Sequence, residues 1–233
     1  MNTRLLTIPL ETLYRILLPL SYIDIMNICK SDQGLEFICK DDRFWAEKSY
    51  TDFNFPKLLF YEMKGSPNAR YLEIKVYMRN PSRYLKTAIF NNDLKFVEWI
   101  LPYIKQISST LNPTFLEQIV LISLDKRSAP ILSLLLDNIN GLIDILYIVL
   151  KQTIREHHKI DMIRFILNNF YGQLSNKYSN VFYDIIMIAL EFNYSKVICE
   201  LVNFAKKHNI NLDYIQNQYP KYWNSILICL NNQ

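Results

Sequence analysis

Few side chains in this sequence could do acid–base, nucleophilic or metal chemistry. There are three histidines in 233 residues. His157 and His158 sit together in "IREHHKID", a polar turn between apolar helical segments, where solvated residues are expected. His208 in "KKHNIN" reads as a helix end, where a cationic ring complements the negative pole of the dipole. Asp41-Asp42 offers two carboxylates, but neighbours on a helix point apart, so the pair is better suited to capping the helix that follows. The cysteines, at 29, 39, 199 and 229, lie inside apolar helical patterns with no C-x-x-C spacing. They read as small buried hydrophobes of a reducing compartment, not as a zinc site or disulfide framework. Glycines stand only at 34, 65, 141 and 172, too far apart for a phosphate-cradling loop or a nucleophile elbow. The expectation is a chain with no catalytic residue, no metal and no cofactor.

The same shortage of glycine bears on the elements. Beta-rich folds use glycine at many tight turns; a helical chain does not need it. Half the residues are hydrophobic and 21% are charged, the composition of a globular chain with a substantial core. Residues 1–55 hold six Lys/Arg against eight Asp/Glu, a net of −2, which leaves twenty against fourteen, +6, for residues 56–233. No basic run forms a phosphate-tracking stripe, so nucleic acid is not an expected partner. The N-terminus shows no basic leader followed by an apolar block. "ILSLLLDNINGLIDILYIVL" (131–150) has the length of a membrane span, but its internal Asp and Asn residues are costly in lipid. Two buried helices joined by a polar turn fit it better, and no membrane is expected.

In residues 1–55, Pro9 and Glu11 suit a helix first turn, and Leu10, Leu13, Leu17 and Leu20 recur at helical spacing. Ser21 and Asp24 form a capping box for a second helix. In "ICKDDRFWAEKSYTDF" (38–53), Trp45 reads as a buried anchor, with Lys48 returning to solvent. This order of features resembles the F-box family. The matching residues are Ile8-Pro9-Leu10-Glu11, Ile16-Leu17-x-x-Leu20, Asp24-Ile25, Ile28-Cys29-Lys30 and Phe44-Trp45. The family's mid-motif Trp is absent; Phe37 or Ile38 could fill its space. The resemblance implies docking on a Skp-type adaptor that links to a cullin ubiquitin ligase. Pro9, Leu10, Leu13, Ile16, Leu17 and Ile25 would be divided between the module's core and that interface.

Residues 56–82 read as a packed connector with turns at "KGSPN" and "NPS" and a helix over 69–79. From 83 to 233 the sequence resembles itself. "AIFNNDLKFVEWIL" (88–101), "SLDKRSAPILSLLL" (123–136), "IREHHKIDMIRFIL" (154–167) and "ALEFNYSKVICELV" (189–202) align without gaps at spacings of 35, 31 and 35. Each is a helix end, a polar turn and a second helix opened by Val97, Leu132, Ile163 or Ile198. The period and pattern resemble ankyrin repeats, without their Thr-Pro-Leu-His segment or turn glycines. The expected fold is all-α, an F-box-like head followed by an α-solenoid of divergent ankyrin-like helix pairs. The combination resembles F-box/ankyrin proteins of large DNA viruses, and the Lys-, Asn-, Ile- and Tyr-rich composition suits an AT-rich genome. It implies a non-catalytic substrate receptor in a host cytoplasm, with the repeats binding a protein target. The alternative is a plain repeat adaptor or decoy without ubiquitin machinery. Turn residues free of packing duty are the candidate target contacts: Asn91, Asn92, Asp93, Lys126, Arg127, His157, His158, Asn193 and Tyr194, with Tyr194 the candidate anchor.

Overall fold

The computed structural model describes residues 8–107, 111–156 and 159–231, and throughout them the chain is helix and turn, with no strand. The all-α expectation holds. The chain divides into two compact units, Met1–Ala88 with Lys95–Ile104, and Ile89–Leu94 with Lys105–Gln233.

The first unit contains α1 (Leu10–Leu17), α2 (Tyr22–Ser31), a 3-10 turn (Gln33–Leu35), α3 (Glu36–Cys39), α4 (Asp42–Phe53), α5 (Lys57–Glu62) and α6 (Pro67–Arg79). It also takes most of α7 (Pro81–Phe90) and α8 (Leu94–Gln106). Local signals explain the starts. The Ser21 hydroxyl accepts the Asp24 amide, and Asp41 accepts the amides of Arg43 and Phe44, so Asp41 caps α4 as expected. α7 begins at Pro81, inside the expected "NPS" turn.

α4 is the centre of this unit and packs on α5 and α6. Trp45 is fully buried. Its indole N–H donates to the Cys39 carbonyl at 3.1 Å, and its ring meets Phe44, Tyr22 and Tyr71 at centroid distances of 5.3, 5.6 and 5.2 Å. The ring thus holds α2, α4 and α6 together. Lys48 corrects the sequence reading. Instead of returning to solvent it is 2% exposed, its ammonium donating to the Leu18 carbonyl at 2.7 Å and to Asp52 at 2.9 Å. Asp52 also accepts the Tyr71 hydroxyl at 2.6 Å. Burial of this charge is tolerable because carbonyl and carboxylate replace its water. Farther along, the Phe53 carbonyl accepts both the Trp99 indole N–H and the Tyr103 hydroxyl, at 3.1 and 2.6 Å, fixing α8 against the end of α4.

The second unit contains α9 (Pro113–Asp125), α10 (Ala129–Asn138), α11 (Leu142–Arg155), α12 (Ile160–Lys177), α13 (Val181–Glu191), α14 (Ser195–Lys207), α15 (Asp213–Gln218) and α16 (Pro220–Asn231). The apolar stretch 131–150 is two helices broken at 139–141, and no described helix is long and apolar enough to cross a membrane. Consecutive helices form pairs, and pairs pack on pairs. α9, α11 and α13 lie in succession, as do α12, α14 and α16. The residues opening each second helix are all in the core, Leu132 and Ile163 at 0% exposure and Ile198 at 1%. One helix pair could not cover these apolar stripes by itself; its neighbours do.

The cysteines are the main correction. Cys29 is bonded to Cys39 and Cys199 to Cys229, leaving no free thiol. The first bond ties α2 to α3 and the second ties α14 to α16. Burial was expected of all four and holds for Cys29, Cys39 and Cys229, whereas Cys199 is half-buried; pairing was not expected, and the expectation of a reducing compartment goes with it. Spacing rules look for cysteines close in sequence; here helices bring the thiols together across 10 and 30 residues.

Candidate functional site

Two surfaces follow from the sequence reading, one on the first unit and one along the turns. On the first, burial sorts the six expected adaptor contacts. Leu13, Leu17 and Ile25 are 4%, 3% and 0% exposed. They form the inward stripe of α1 and α2 and cannot reach a partner while the unit is folded. Pro9, Leu10 and Ile16 are exposed. Leu10 and Ile16 flank the buried stripe on opposite sides of α1, since at about 100° per residue they fall either side of Leu13 and Leu17. The structure adds Ile23, the most exposed apolar side chain of α2, which periodicity did not single out. Tyr14, also on α1, donates its hydroxyl to Asp41, the cap of α4. Burial, together with that carboxylate, pushes the phenol well above its usual range. It stays neutral and holds α1 against α4.

The turn residues behave differently from expectation. Asn92, Arg127 and Asn193 all have positive φ, at 56°, 51° and 54°. They occupy the same position in three of the aligned segments, and in the fourth that position is His158. The candidates His157 and His158 lie outside the described residues. At each turn the left-handed residue lets the chain leave one helix and start the next. Ser128 and Tyr194 then donate their amides back to the carbonyls of Ser123 and Ala189, both at 3.0 Å, closing the helix end in the manner of a glycine C-cap. Asparagine tolerates this conformation better than most residues, which explains how hairpins form where the sequence lacks glycine.

Several turn side chains are also tied to the next pair. The Ser128 hydroxyl donates to the Asn92 side-chain carbonyl at 2.5 Å. Arg127 pairs with Asp161 at 3.3 Å, and the Tyr194 hydroxyl donates to the Arg155 carbonyl at 2.9 Å. Arg164 grips Glu200 with two hydrogen bonds, at 2.8 and 2.7 Å. The sequence separations of these four links are 36, 34, 39 and 36 residues, each close to one repeat. Ser128, Arg164 and Glu200 were missed as contacts, although superposing the four aligned segments would have brought each near its partner. Of the expected strip, Asn92, Arg127 and Asn193 are therefore structural in backbone, and Tyr194 stacks on Phe192 with ring centroids 5.5 Å apart. Asn91, Asp93 and Lys126 are exposed, Lys126 with its ammonium 3.7 Å from the centre of the Phe90 ring.

The remaining charged detail is structural. Asp144 accepts from the Lys177 ammonium at 2.6 Å and from the Tyr178 hydroxyl, and these two bonds, that of Lys177 first, hold its carboxyl below the usual range. Among the described residues no group of three or more His, Cys, Asp or Glu is placed to hold a metal ion. No family model, no curated protein and no solved structure matches this chain.

Proposed function

We propose that the protein is a non-catalytic protein-binding protein, an F-box-like helical head joined to an α-solenoid of divergent ankyrin-like pairs. The observation that carries this reading is the register of the turns. One left-handed position recurs in three turns, and side-chain links recur at about one repeat's separation. A repeat array of this kind offers an extended surface whose side chains can vary without loss of the shared core. In the fuller form of the proposal, the head recruits a Skp-type adaptor and its cullin ligase, and the exposed turn residues Asn91, Asp93 and Lys126 with half-exposed Tyr194 take part in holding the protein to be modified.

One observation favours a second reading. Disulfides are rare in the reducing cytosol, where such a ligase would be met, and this chain has two. A plain repeat adaptor or decoy, its N-terminal helices serving as a cap, has no such conflict. Co-elution of the full chain with a purified Skp-type adaptor, under both oxidising and reducing conditions, separates the two. The receptor reading expects a complex that Ile16→Asp and Ile23→Asp abolish while the melting temperature stays unchanged, because both side chains are solvent-facing. Absence of a complex with the unmutated chain in either condition would leave the plain adaptor.

A further inference from the structure

A recess on the second unit, away from the repeat turns, has a chemistry of its own. It measures about 270 Å³ and is lined by Asn180, Tyr183, Asp184, Met187, Tyr214 and Tyr219. α13 contributes one wall, and α15 with the residue that ends it contributes the other. The three phenol rings do not stack. Tyr183 and Tyr214 are inclined at 57° with centroids 5.0 Å apart, and Tyr214 and Tyr219 at 67° and 6.3 Å. Inclined in this way, the rings form an unstacked cluster along the recess. Tyr183 is fixed in place by donating its hydroxyl to the Asn211 carbonyl at 2.9 Å. Tyr214 and Tyr219 remain 49% and 37% exposed, more than core packing would leave for rings that already touch one another.

The charge of the recess is one-sided. Asp184 accepts the Tyr147 hydroxyl on one carboxylate oxygen, and no Lys or Arg forms an ion pair with it among the described residues. None lines the recess either. Aromatic faces are the negative part of the ring quadrupole and attract cations. Three rings beside one carboxylate therefore favour a positive group. Size and hydration narrow the choice. The volume lies below the 300–1,000 Å³ usual for a whole small-molecule ligand, which suits a head group more than an entire molecule. A bare ammonium is strongly hydrated, whereas an alkylated one presents apolar surface to the rings and to Met187. We propose that this recess binds an alkylated ammonium group, whether carried by a small molecule such as choline or by a trimethylated lysine of a protein. The inference does not depend on the adaptor reading of the first unit.

The test is a titration of the full chain, followed by NMR, with choline and with its neutral carbon isostere dimethylbutanol. Choline is expected to bind about tenfold more tightly than the isostere, about 1.4 kcal/mol, between the values for exposed and for desolvated cation–π contacts, as suits half-exposed rings. Tyr214→Ala should weaken choline binding by a similar factor, Tyr214→Phe should leave it nearly unchanged, and Asp184→Asn should weaken it severalfold. A melting curve checks that each variant is folded, and Tyr219→Ala replaces Tyr214→Ala if the latter is not. A trimethyl-lysine peptide that binds much better than choline, with its unmethylated form failing, assigns the source to a protein; equal affinity for choline and peptide assigns it to a small molecule. Equal affinity for choline and dimethylbutanol, no saturable binding, or a folded Tyr214→Ala that binds choline normally would overturn the proposal.

Discussion

Lys48→Met tests the least expected feature of the first unit. Methionine keeps most of the aliphatic stem and removes the ammonium, so the packing loss is small and the electrostatic loss is isolated. Removing one partner of a fully buried ion pair costs about 3–5 kcal/mol, because the other charge is left uncompensated. Here the Asp52 side chain is 25% exposed and keeps the Tyr71 hydroxyl, so its share belongs near about 2 kcal/mol. The Leu18 carbonyl loses a charged donor as well, worth about another 1 kcal/mol. The expected total is about 3 kcal/mol, a large part of the roughly 5–15 kcal/mol by which a domain is stable. Two of the three tryptophans, Trp45 and Trp99, lie in the first unit. Urea unfolding by tryptophan fluorescence in a Trp223→Phe background therefore reports that unit alone. With a slope of about 1–1.5 kcal/mol per M for a unit of this size, the midpoint should fall by about 2–3 M. Asp52→Asn added to Lys48→Met should recover part of the loss, since it removes the orphaned charge. A midpoint unchanged by Lys48→Met would mean that the ammonium is solvated and that Lys48 does not bridge α1, α4 and α6.

Trp45→Ala should destabilise the same unit by about 3–5 kcal/mol, the usual cost of emptying a buried Trp site; a melting temperature equal to that of the unmutated chain would refute its role as anchor. The loop-entropy relation gives about 2.7 kcal/mol for the Cys29–Cys39 bond and about 3.7 kcal/mol for Cys199–Cys229, from separations of 10 and 30 residues. Melting with and without reductant checks these values, and a titration that finds four free thiols in the native chain would refute the pairing. Arg127→Gly should stabilise the second unit by up to about 1 kcal/mol by relieving a left-handed non-glycine residue, whereas Asn193→Ala should cost about 1 kcal/mol; the same sign for both would argue against a shared turn conformation. The Asp144 carboxyl is held below its ordinary value of 3.8 in the folded chain. Its contribution is therefore present above that value and lost as pH falls through the folded one, and the stability gap between the unmutated chain and Asp144→Asn should close in acid.

What could be read in advance was what local periodicity controls. The helices fall where apolar residues recur every three to four positions, and Ser21 and Asp41 cap the helices that their spacing to the following residues implied. Trp45 could be assigned to the core because a large ring among charged neighbours has few other uses. Lys48 could not be assigned, because its burial depends on a carbonyl thirty residues earlier in the chain, which no window around α4 contains. The same holds for Leu10 and Leu13. Both belong to one helical stripe, yet Leu13 is buried and Leu10 exposed, and only the elements packed on α1 decide which of them is hidden.

The turns show a finer version of this limit. These turns lack glycine, and the chain uses Asn92, Arg127 and Asn193 at the single position that must be left-handed. Asn at two of these places is a legible signal once the segments are aligned, since Asn is the side chain that visits this region most readily. Arg127 is not legible from its type, and its alignment with Asn92 and Asn193 is what would have revealed it. The duty also bears on recognition. A residue whose backbone must hold a special conformation, and whose side chain reaches the next pair, is poorly free to vary for a partner. Lys126, directly before Arg127, keeps an ordinary helical backbone, although its ammonium rests over the Phe90 ring of the preceding turn at 3.7 Å. If the turns select a partner, the selection should therefore rest on residues with ordinary backbone such as Asn91 and Lys126, with the positive-φ residues holding them in place.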